Sequence, residues 1–324
     1  MCSSASPDAG PRAVAGPADG EVEITSGDQR AVVVTSGGGL RAYSIGGREL
    51  LDGFPAGERS PSGRGQVLMP WPNRLEDGEY EFDGRRHRLP ITEPEHRNAI
   101  HGLVRDAIWT VSDHDTDRVA VEHDLRPQPG YPFALAVRLE YDLSASGLRV
   151  CTTATNVGTR ACPYGAGAHP YLTVGTATVD STFLRVPGRT VLRTDERGLP
   201  VSAISVEGTD YDFRRPRRIG STRLDHAFTD LERGADGLAR VELAGSRASR
   251  RLTLWVDEAY PYLQIFTGDP LPDVARRSLA VEPMTCPSNA FRTGESVVRL
   301  EPGDSFRGVW GINPPLLRPA VPGA

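Results

Sequence analysis

The feature that most constrains this fold is a series of short segments in which apolar and polar residues alternate. Gly, Pro, Asn and Asp separate these segments, which are residues 21–25, 30–36, 40–45, 79–89, 107–112, 118–125, 134–143 and 148–157. Alternation with a period of two is typical of β-strands that bury one face. There is no sustained helical apolar stripe and no strand–helix alternation. The sequence therefore predicts an all-β protein, a large antiparallel β-sandwich.

Turn signals place two β-hairpins. Asp83 and Gly84 separate two alternating segments, and both residue types accept the positive φ that a two-residue turn requires. Residues 144–147 separate two segments of roughly ten residues each, which is long for strands of globular sheets. Long antiparallel strands indicate a large sandwich.

The 324 residues contain no internal stretch that resembles a linker, so one domain is expected over residues 21–312. Residues 1–20 consist largely of Ala, Gly, Pro, Ser and Asp, a composition that predicts a disordered tail. A proline-rich end is expected at 313–324. The four cysteines lie far apart and form no C-x-x-C pair, which predicts neither a disulfide framework nor a metal site.

Charge and composition exclude several functions. The chain has no lysine, so it cannot form a lysine Schiff base or a Walker A phosphate loop. The net charge is −5 and no basic stripe is present, which argues against nucleic acid or a membrane as a partner. No apolar run could span a bilayer and no secretory signal is evident, so we expect a cytoplasmic protein that binds a small molecule.

Six segments interrupt the hairpin pattern and concentrate polar residues: 70–74 (PWPNR), 97–102 (RNAIHG), 165–172 (GAGAHPYL), 224–228 (LDHAF), 263–269 (LQIFTGD) and 281–291 (VEPMTCPSNAF). Each segment alone is typical of a turn. Together they supply histidines, arginine and carboxylates, the groups used for general acid–base chemistry.

Two of these residues, His169 and Glu282, directly precede a proline. The proline ring restricts the preceding residue to extended conformations, which lowers the cost of holding a side chain in place. An acid and a base need such fixed positions, although strand ends with turn prolines would give the same pattern.

Binding residues are expected around this pair. Asp225 and His226 are neighbours in a predicted strand and must point to opposite faces, and the small, acidic side with Asp225 is the plausible ligand face. Arg74 follows two prolines, and Trp71 between them offers an apolar platform of the kind on which sugar rings stack. His101 lies between strand-like segments, where a structural histidine is equally expected.

Taken in order, the six segments resemble the aldose 1-epimerases, or mutarotases, of the galactose mutarotase-like superfamily. The resemblance covers about Glu21 to Trp310 and rests on Asn73-Arg74, Asn98 to Gly102, His169 to Tyr171, Leu224 to Phe228, Gln264 to Gly268, and Glu282 with Thr285 and Pro287. It implies the supersandwich fold of that family, with a long cleft on one sheet.

The resemblance also implies roles. Glu282 would be the general base and His169 the general acid. Arg74, His101, Asp225, Asn73, Gln264 and Trp71 would bind an aldose such as glucose or galactose. No cofactor or metal is implied, and a monomer or weak homodimer is expected. Met284 stands where many relatives carry glutamine, which would remove one hydrogen bond to the sugar.

Three other functions remain open on the sequence. The many arginines would suit an epimerase acting on hexose 6-phosphates. The same cleft could serve a noncatalytic sugar-binding or sensor protein, although binding alone would not require both Glu282 and His169. Glu282 and Asp225 could also form the carboxylate pair of a glycosidase.

Overall fold

The computed structural model describes residues 20–245 and 250–314. Its strands are β1 (Glu21–Ser26), β2 (Gln29–Val34), β3 (Leu40–Ile45), β4 (Arg48–Glu49), β5 (Val67–Leu68), β6 (Arg74–Glu76), β7 (Glu79–Phe82), β8 (Arg85–Arg88), β9 (Asn98–Ile100), β10 (Thr110–His114), β11 (Arg118–Leu125), β12 (Leu135–Ser144), β13 (Gly147–Asn156), β14 (Cys162–Tyr164), β15 (Gly167–Ala168), β16 (Tyr171–Leu172), β17 (Phe183–Arg185), β18 (Gly188–Thr194), β19 (Pro200–Ser205), β20 (Arg217–Arg218), β21 (Asp225–Leu231), β22 (Ala239–Ala244), β23 (Arg251–Val256), β24 (Tyr262–Phe266), β25 (Leu279–Met284), β26 (Val298–Leu300) and β27 (Ser305–Asn313). Helix within these ranges is limited to α1 (Ala290–Thr293) and two short 3₁₀ turns, Pro61–Gly63 and Val179–Ser181.

Two large antiparallel sheets dominate the molecule. The first has nine strands in the order β10-β11-β12-β13-β27-β23-β22-β17-β20. The second has eight, in the order β19-β18-β21-β24-β25-β15-β5 with β16 also paired to β25. β1 to β4 form a separate four-stranded sheet. The predicted antiparallel β-sandwich is confirmed.

Alternation along the long strands explains how the core forms. In β12 the residues Leu135, Val137, Leu139, Tyr141 and Leu143 are buried, while the residues between them are partly exposed. Their side chains join one apolar cluster with residues of the second sheet, such as those of β24 and β25. The nine-stranded sheet thus packs one face against the eight-stranded sheet, as the period of two predicts.

Both predicted hairpins are present. β7 and β8 pair around Asp83 and Gly84, whose φ values of 50° and 69° are those of a two-residue turn. β12 and β13 pair along ten residues each, from Leu135 opposite Asn156 to Ser144 opposite Gly147. The turn chemistry therefore set the register of both pairs.

Some of the remaining sequence predictions concern residues that the structure describes, and others concern residues outside that part of the chain. Cys151, Cys162 and Cys286 are buried free thiols. Among the described residues, no helix is long and apolar enough to cross a membrane. The predicted disordered tail and proline-rich end fall almost entirely on residues 1–19 and 315–324, which lie outside the described residues, and the domain boundaries stay a prediction.

Candidate active site

A cleft of about 500 Å³ opens on the eight-stranded sheet. Of the eight residues proposed from the sequence, six line it: Asn73, Arg74, His101, His169, Asp225 and Glu282. They come from segments up to 209 residues apart in the chain, from Asn73 to Glu282. Gln264 and Trp71 are not part of its wall.

Strand alternation carries the carboxylates to this face. In β25, Val281 belongs to the main apolar core, so Glu282 points to the opposite side. Gln264 in β24 lies directly opposite Glu282, and Ala227 in β21 lies opposite Gln264. Asp225 is two residues from Ala227 and shares its face. Three adjacent strands thus place both acids on the same face of the sheet, with β24 between them.

Glu282 and His169 meet at the floor of the cleft. Glu282 Oε1 lies 3.4 Å from His169 Nε2, and the two side chains are only 3% and 6% exposed. Glu282 Oε2 and His169 Nδ1 have no hydrogen-bond partner among the described residues. A buried polar atom without a partner is costly, so the surrounding fold must hold these two atoms in place against that cost.

The backbone and neighbours of His169 hold its ring in place. The His169 N–H donates to the Gln66 carbonyl (3.0 Å), and the His169 carbonyl accepts from the Gly65 N–H (2.9 Å). The imidazole stacks on Tyr171 with an interplanar angle of 7° and a centroid distance of 4.9 Å. Gly63 lies against its other side, where a Cβ would be 2.8 Å from His169 Cδ2. Only glycine leaves room for the ring in this position.

Burial disfavours charge on both members of the pair. Desolvation raises the pKa of Glu282 well above its usual range, and the Asp225 carboxylate adds to this while Arg74 opposes it. Desolvation lowers the pKa of His169 to about 3, and the charge of Arg64 lowers it further. Both shifts favour the neutral carboxyl of Glu282 and the neutral imidazole of His169 over an ion pair.

Arg74 is fixed by two acids on opposite sides. Its Nε donates to both oxygens of Glu93 (3.1 and 3.0 Å), and its Nη1 lies 3.8 Å from Asp225 Oδ2. Desolvation would lower the pKa of Arg74, but the hydrogen bond to Glu93 and the charge of Asp225 raise it overall. The guanidinium stays charged and is held at the cleft wall.

His101 is held in one tautomer. The Asn73 N–H donates to His101 Nδ1 (3.2 Å), so the Nε2 nitrogen carries the proton of the neutral ring. Desolvation, then the neighbouring His169 and Arg74, lower the pKa of His101 well below its usual range. Both Asn73 and His101 adopt positive φ, at 57° and 63°. His101 can therefore offer a neutral N–H donor to a ligand.

Gln264 and His226 show how Asp225 is oriented. The Gln264 side-chain amide donates to Asp225 Oδ1 (2.6 Å) from below the cleft surface. The His226 ring packs against Tyr211 at a centroid distance of 4.7 Å and an angle of 52°, on the side of the strand away from the cleft. The predicted split between Asp225 and His226 is confirmed, and Gln264 supports Asp225 rather than lining the cleft.

The structure contradicts one predicted site residue. Trp71 is 3% exposed, belongs to the main core and packs against Phe291 at a centroid distance of 5.8 Å. The flanking prolines direct the chain as expected, but the large apolar indole gains more from burial than from facing water. Met284 is likewise fully buried, in a small cluster with Leu192, Ala227 and Tyr262.

Sequence analysis missed several residues of the cleft wall. They are Arg59, Ser60, Ser62, Gly63, Gln66, Thr92, Glu93, Glu95, Arg105, Asp106 and Leu271. Ile100, Tyr171 and Phe266 of the same wall lie in the segments named above, although no role was given to them. Glu93 carried a usable signal, because it precedes Pro94 just as His169 and Glu282 precede prolines. The segment 59–66 has no such signal, since its polar residues and glycines are typical of any loop.

The sequence and the fold are similar to those of known proteins. Residues 21–312 match the family model described as aldose 1-epimerase. The chain is 35% identical over 287 residues to YihR of Escherichia coli K12, covering 88% of this chain and 90% of that protein. The fold is similar to a GalM/aldose epimerase homologue from C. elegans (TM-score 0.82, 19% identity, 91% and 98% of the two chains). It is also similar to the galactose 1-epimerase of Lactobacillus acidophilus NCFM (TM-score 0.75, 20% identity, 90% and 93%).

Proposed function

The chain belongs to the aldose 1-epimerase family, and from that premise we propose that it interconverts the α and β anomers of a free hexose such as glucose or galactose. The observation that carries the proposal is the approach of Glu282 Oε1 to within 3.4 Å of His169 Nε2 in a cleft that water and small molecules can enter. The two oxygens bonded to C1 of a pyranose, the hydroxyl and the ring oxygen, are close enough for one such pair to reach both.

The reaction is a proton exchange at these two oxygens. Glu282 accepts the proton of the C1 hydroxyl while His169 donates a proton to the ring oxygen, and the C1–O5 bond breaks to give the free aldehyde. Rotation about the C1–C2 bond presents the other face of the carbonyl. The ring closes with the two roles reversed, so both residues regain their starting state.

Substrate binding must first move one proton within the pair. Burial favours the proton on Glu282, whereas ring opening in the direction described needs it on His169. Hydroxyl groups that donate to the carboxylate favour its ionised form, and Arg74 acts in the same sense. The net charge of the pair does not change in this transfer across the 3.4 Å contact. Burial opposes the ion pair that forms, so the sugar hydroxyl groups and Arg74 must stabilise it.

The other cleft residues would orient the hexose. Arg74, the Nε2–H of His101 and the Asp225 carboxylate offer two donors and an acceptor for ring hydroxyls. Asn73 contributes through its backbone N–H, which fixes His101. Gln264 acts on the sugar indirectly, since its amide is bonded to Asp225.

Polarimetry of freshly dissolved α-glucose and α-galactose, with and without the protein, tests the proposal. We expect faster decay of optical rotation to the same equilibrium value. Glu282→Gln and His169→Asn should each lower kcat by about 10²- to 10⁴-fold, the usual contribution of one positioned acid or base. Unchanged far-UV circular dichroism controls for folding.

A binding protein would give a different result. If the wild-type chain binds the sugars but leaves the anomerisation rate unchanged, the catalytic proposal is wrong. If Glu282→Gln retains near wild-type turnover, Glu282 is not the base.

A further inference from the structure

A second cavity adjoins the cleft. Its volume is about 230 Å³. The two cavities share five wall residues, Arg59, Ser60, Gln66, Arg105 and Asp106. A ligand in the cleft that carries a substituent on this side would therefore extend into the second cavity.

Hydrogen bonds connect the shared wall to His169, the acid of the proposed reaction. Ser60 Oγ donates to the Arg64 carbonyl (2.7 Å), and the Tyr171 hydroxyl donates to the Ser62 carbonyl (2.8 Å). Residues 65 and 66 exchange backbone hydrogen bonds with His169 on either side of its peptide unit. The segment 60–66 thus joins the His169 side of the cleft to the second cavity.

The second cavity has the character of a site for a neutral, hydroxyl-rich group. Its charges balance, because its wall contains three arginines and three acids, Arg59, Arg64, Arg105, Glu21, Glu58 and Asp106. Phe54 supplies an apolar surface, and the glycines at positions 37, 39, 57 and 65 expose backbone groups along the wall. Apolar walls with a few polar groups are typical of small-molecule sites.

Two polar side chains at the junction have donors to spare. Among the described residues, Arg105 has one weak contact, with Nε 4.0 Å from Asp106 Oδ2, and makes no side-chain hydrogen bond. The Gln66 side chain also makes none there, since only its backbone N–H and carbonyl are bonded. Both groups line both cavities. They can donate to hydroxyl or glycosidic oxygens that cross from one cavity to the other.

The proposed reaction determines which carbon of the hexose points toward the second cavity. His169 donates to the ring oxygen, and the ring oxygen is bonded to C5, which carries C6. The C6 substituent therefore extends from the sugar ring on the His169 side, whereas the C1 hydroxyl lies toward Glu282. We propose that the second cavity binds a neutral glycosyl unit attached through C6, so that the protein anomerises reducing disaccharides with a (1→6) linkage. This inference rests on the proposed function.

Anomer exchange measured by two-dimensional exchange NMR at equilibrium tests it. Melibiose, a (1→6)-linked disaccharide, is compared with maltose, which is (1→4)-linked, with glucose and with glucose 6-phosphate. We expect kcat/KM for melibiose to equal or exceed that for glucose, and to exceed that for maltose by about tenfold or more, a difference typical of steric misfit.

A substitution that fills the second cavity, compared with a small substitution at the same position, gives a matched pair of variants. Ser36 lines the second cavity but not the cleft, is exposed and makes no side-chain hydrogen bond among the described residues. Ser36→Trp should lower kcat/KM for melibiose by about tenfold and leave that for glucose unchanged, which also shows that the protein is folded. Ser36→Ala should leave both unchanged.

The outcomes separate the two proposals. Anomerisation of glucose with no preference for melibiose over maltose overturns the second site and leaves the epimerase function standing. Equal losses on both sugars in Ser36→Trp overturn it as well. A clear preference for glucose 6-phosphate over melibiose shows that the junction arginines bind an anion instead. If no sugar is anomerised, the proposed function itself fails.

Discussion

At the scale of single residues, the position of one proton decides how the cleft works. Glu282 and His169 would ordinarily titrate as a carboxylate and an imidazolium, with usual pKa values of 4.5 and 6.5. Their burial reverses this order, since the carboxyl pKa rises and the imidazole pKa falls. The pair then titrates as a unit that keeps one proton over a wide pH range. The sequence identified both groups but could not show their burial, which depends on the whole fold.

A broad pH profile follows from these shifts. The acid limb of kcat/KM comes from adding a second proton to the pair, which the His169 pKa of about 3 moves far below the usual histidine range. The alkaline limb comes from removing the last proton, which the raised Glu282 pKa delays. We expect a nearly constant enzymatic rate over roughly pH 5 to 8 after subtraction of the uncatalysed rate. A rate that falls as pH rises through 6.5 would contradict the shared proton.

At the scale of elements, alternation along strands was predictable and loop paths were not. The strand period placed Asp225 and His226 on opposite faces, as the structure has them. The same rule did not apply to Trp71, because it lies outside a regular strand and its side chain follows the core. The segment 59–66 flanks His169 through contacts between residues more than a hundred positions apart. Such contacts leave no local pattern in the sequence.

Gly63 is the residue of the segment 59–66 that we expect to control the position of the His169 imidazole. Its φ is +80°, and an added Cβ would lie 2.8 Å from Cδ2 and 3.0 Å from Nε2 of His169. Gly63→Ala should push the imidazole from Glu282, and a displacement of about 1 Å at a reacting group can cost about 10²-fold in rate. We expect a lower kcat for glucose anomerisation measured by polarimetry.

The control is Gly208→Ala. Gly208 has a similar φ of +75°, but an added Cβ would have no atom within 4 Å. It carries the same backbone strain without the contact to His169, so its kcat should remain at the wild-type value. Equal kcat values in the two variants would show that Gly63 does not determine the position of the imidazole.

At the scale of the whole molecule, the sequence predicted the class of fold but not the contacts that join its sheets. Asp52 is the clearest case. It follows β4 of the four-stranded sheet, yet its carboxylate accepts hydrogen bonds from Arg64, from Arg277 (2.8 Å) and from Ser278 (2.7 Å), which directly precedes β25. Arg64 in turn lies 4.3 Å from the centroid of the Tyr171 ring, on which His169 stacks. Nothing in the residues around position 52 indicates these partners.

Asp52 should therefore contribute to stability in a way that depends on pH. Desolvation alone would raise its pKa, but the hydrogen bonds from Arg277, Ser278 and Arg64 lower it overall. A carboxyl with a depressed pKa in the folded state stabilises the protein above its unfolded pKa of about 3.9, and this stabilisation is lost as pH falls through the folded value. Because Arg64 is only 2% exposed, Asp52→Asn leaves a buried guanidinium without its counter-charge.

Urea unfolding measures the consequence. Asp52→Asn should lower the free energy of unfolding at pH 7 by about 3 to 5 kcal/mol, the usual cost of breaking a buried ion pair, and the difference from wild type should shrink toward pH 3. Asp236→Asn is the control, because Asp236 pairs with Arg240 at the surface, where exposed pairs contribute little. If both variants unfold at the same urea concentration at pH 7, Asp52 does not hold the four-stranded sheet to the strand that carries Glu282.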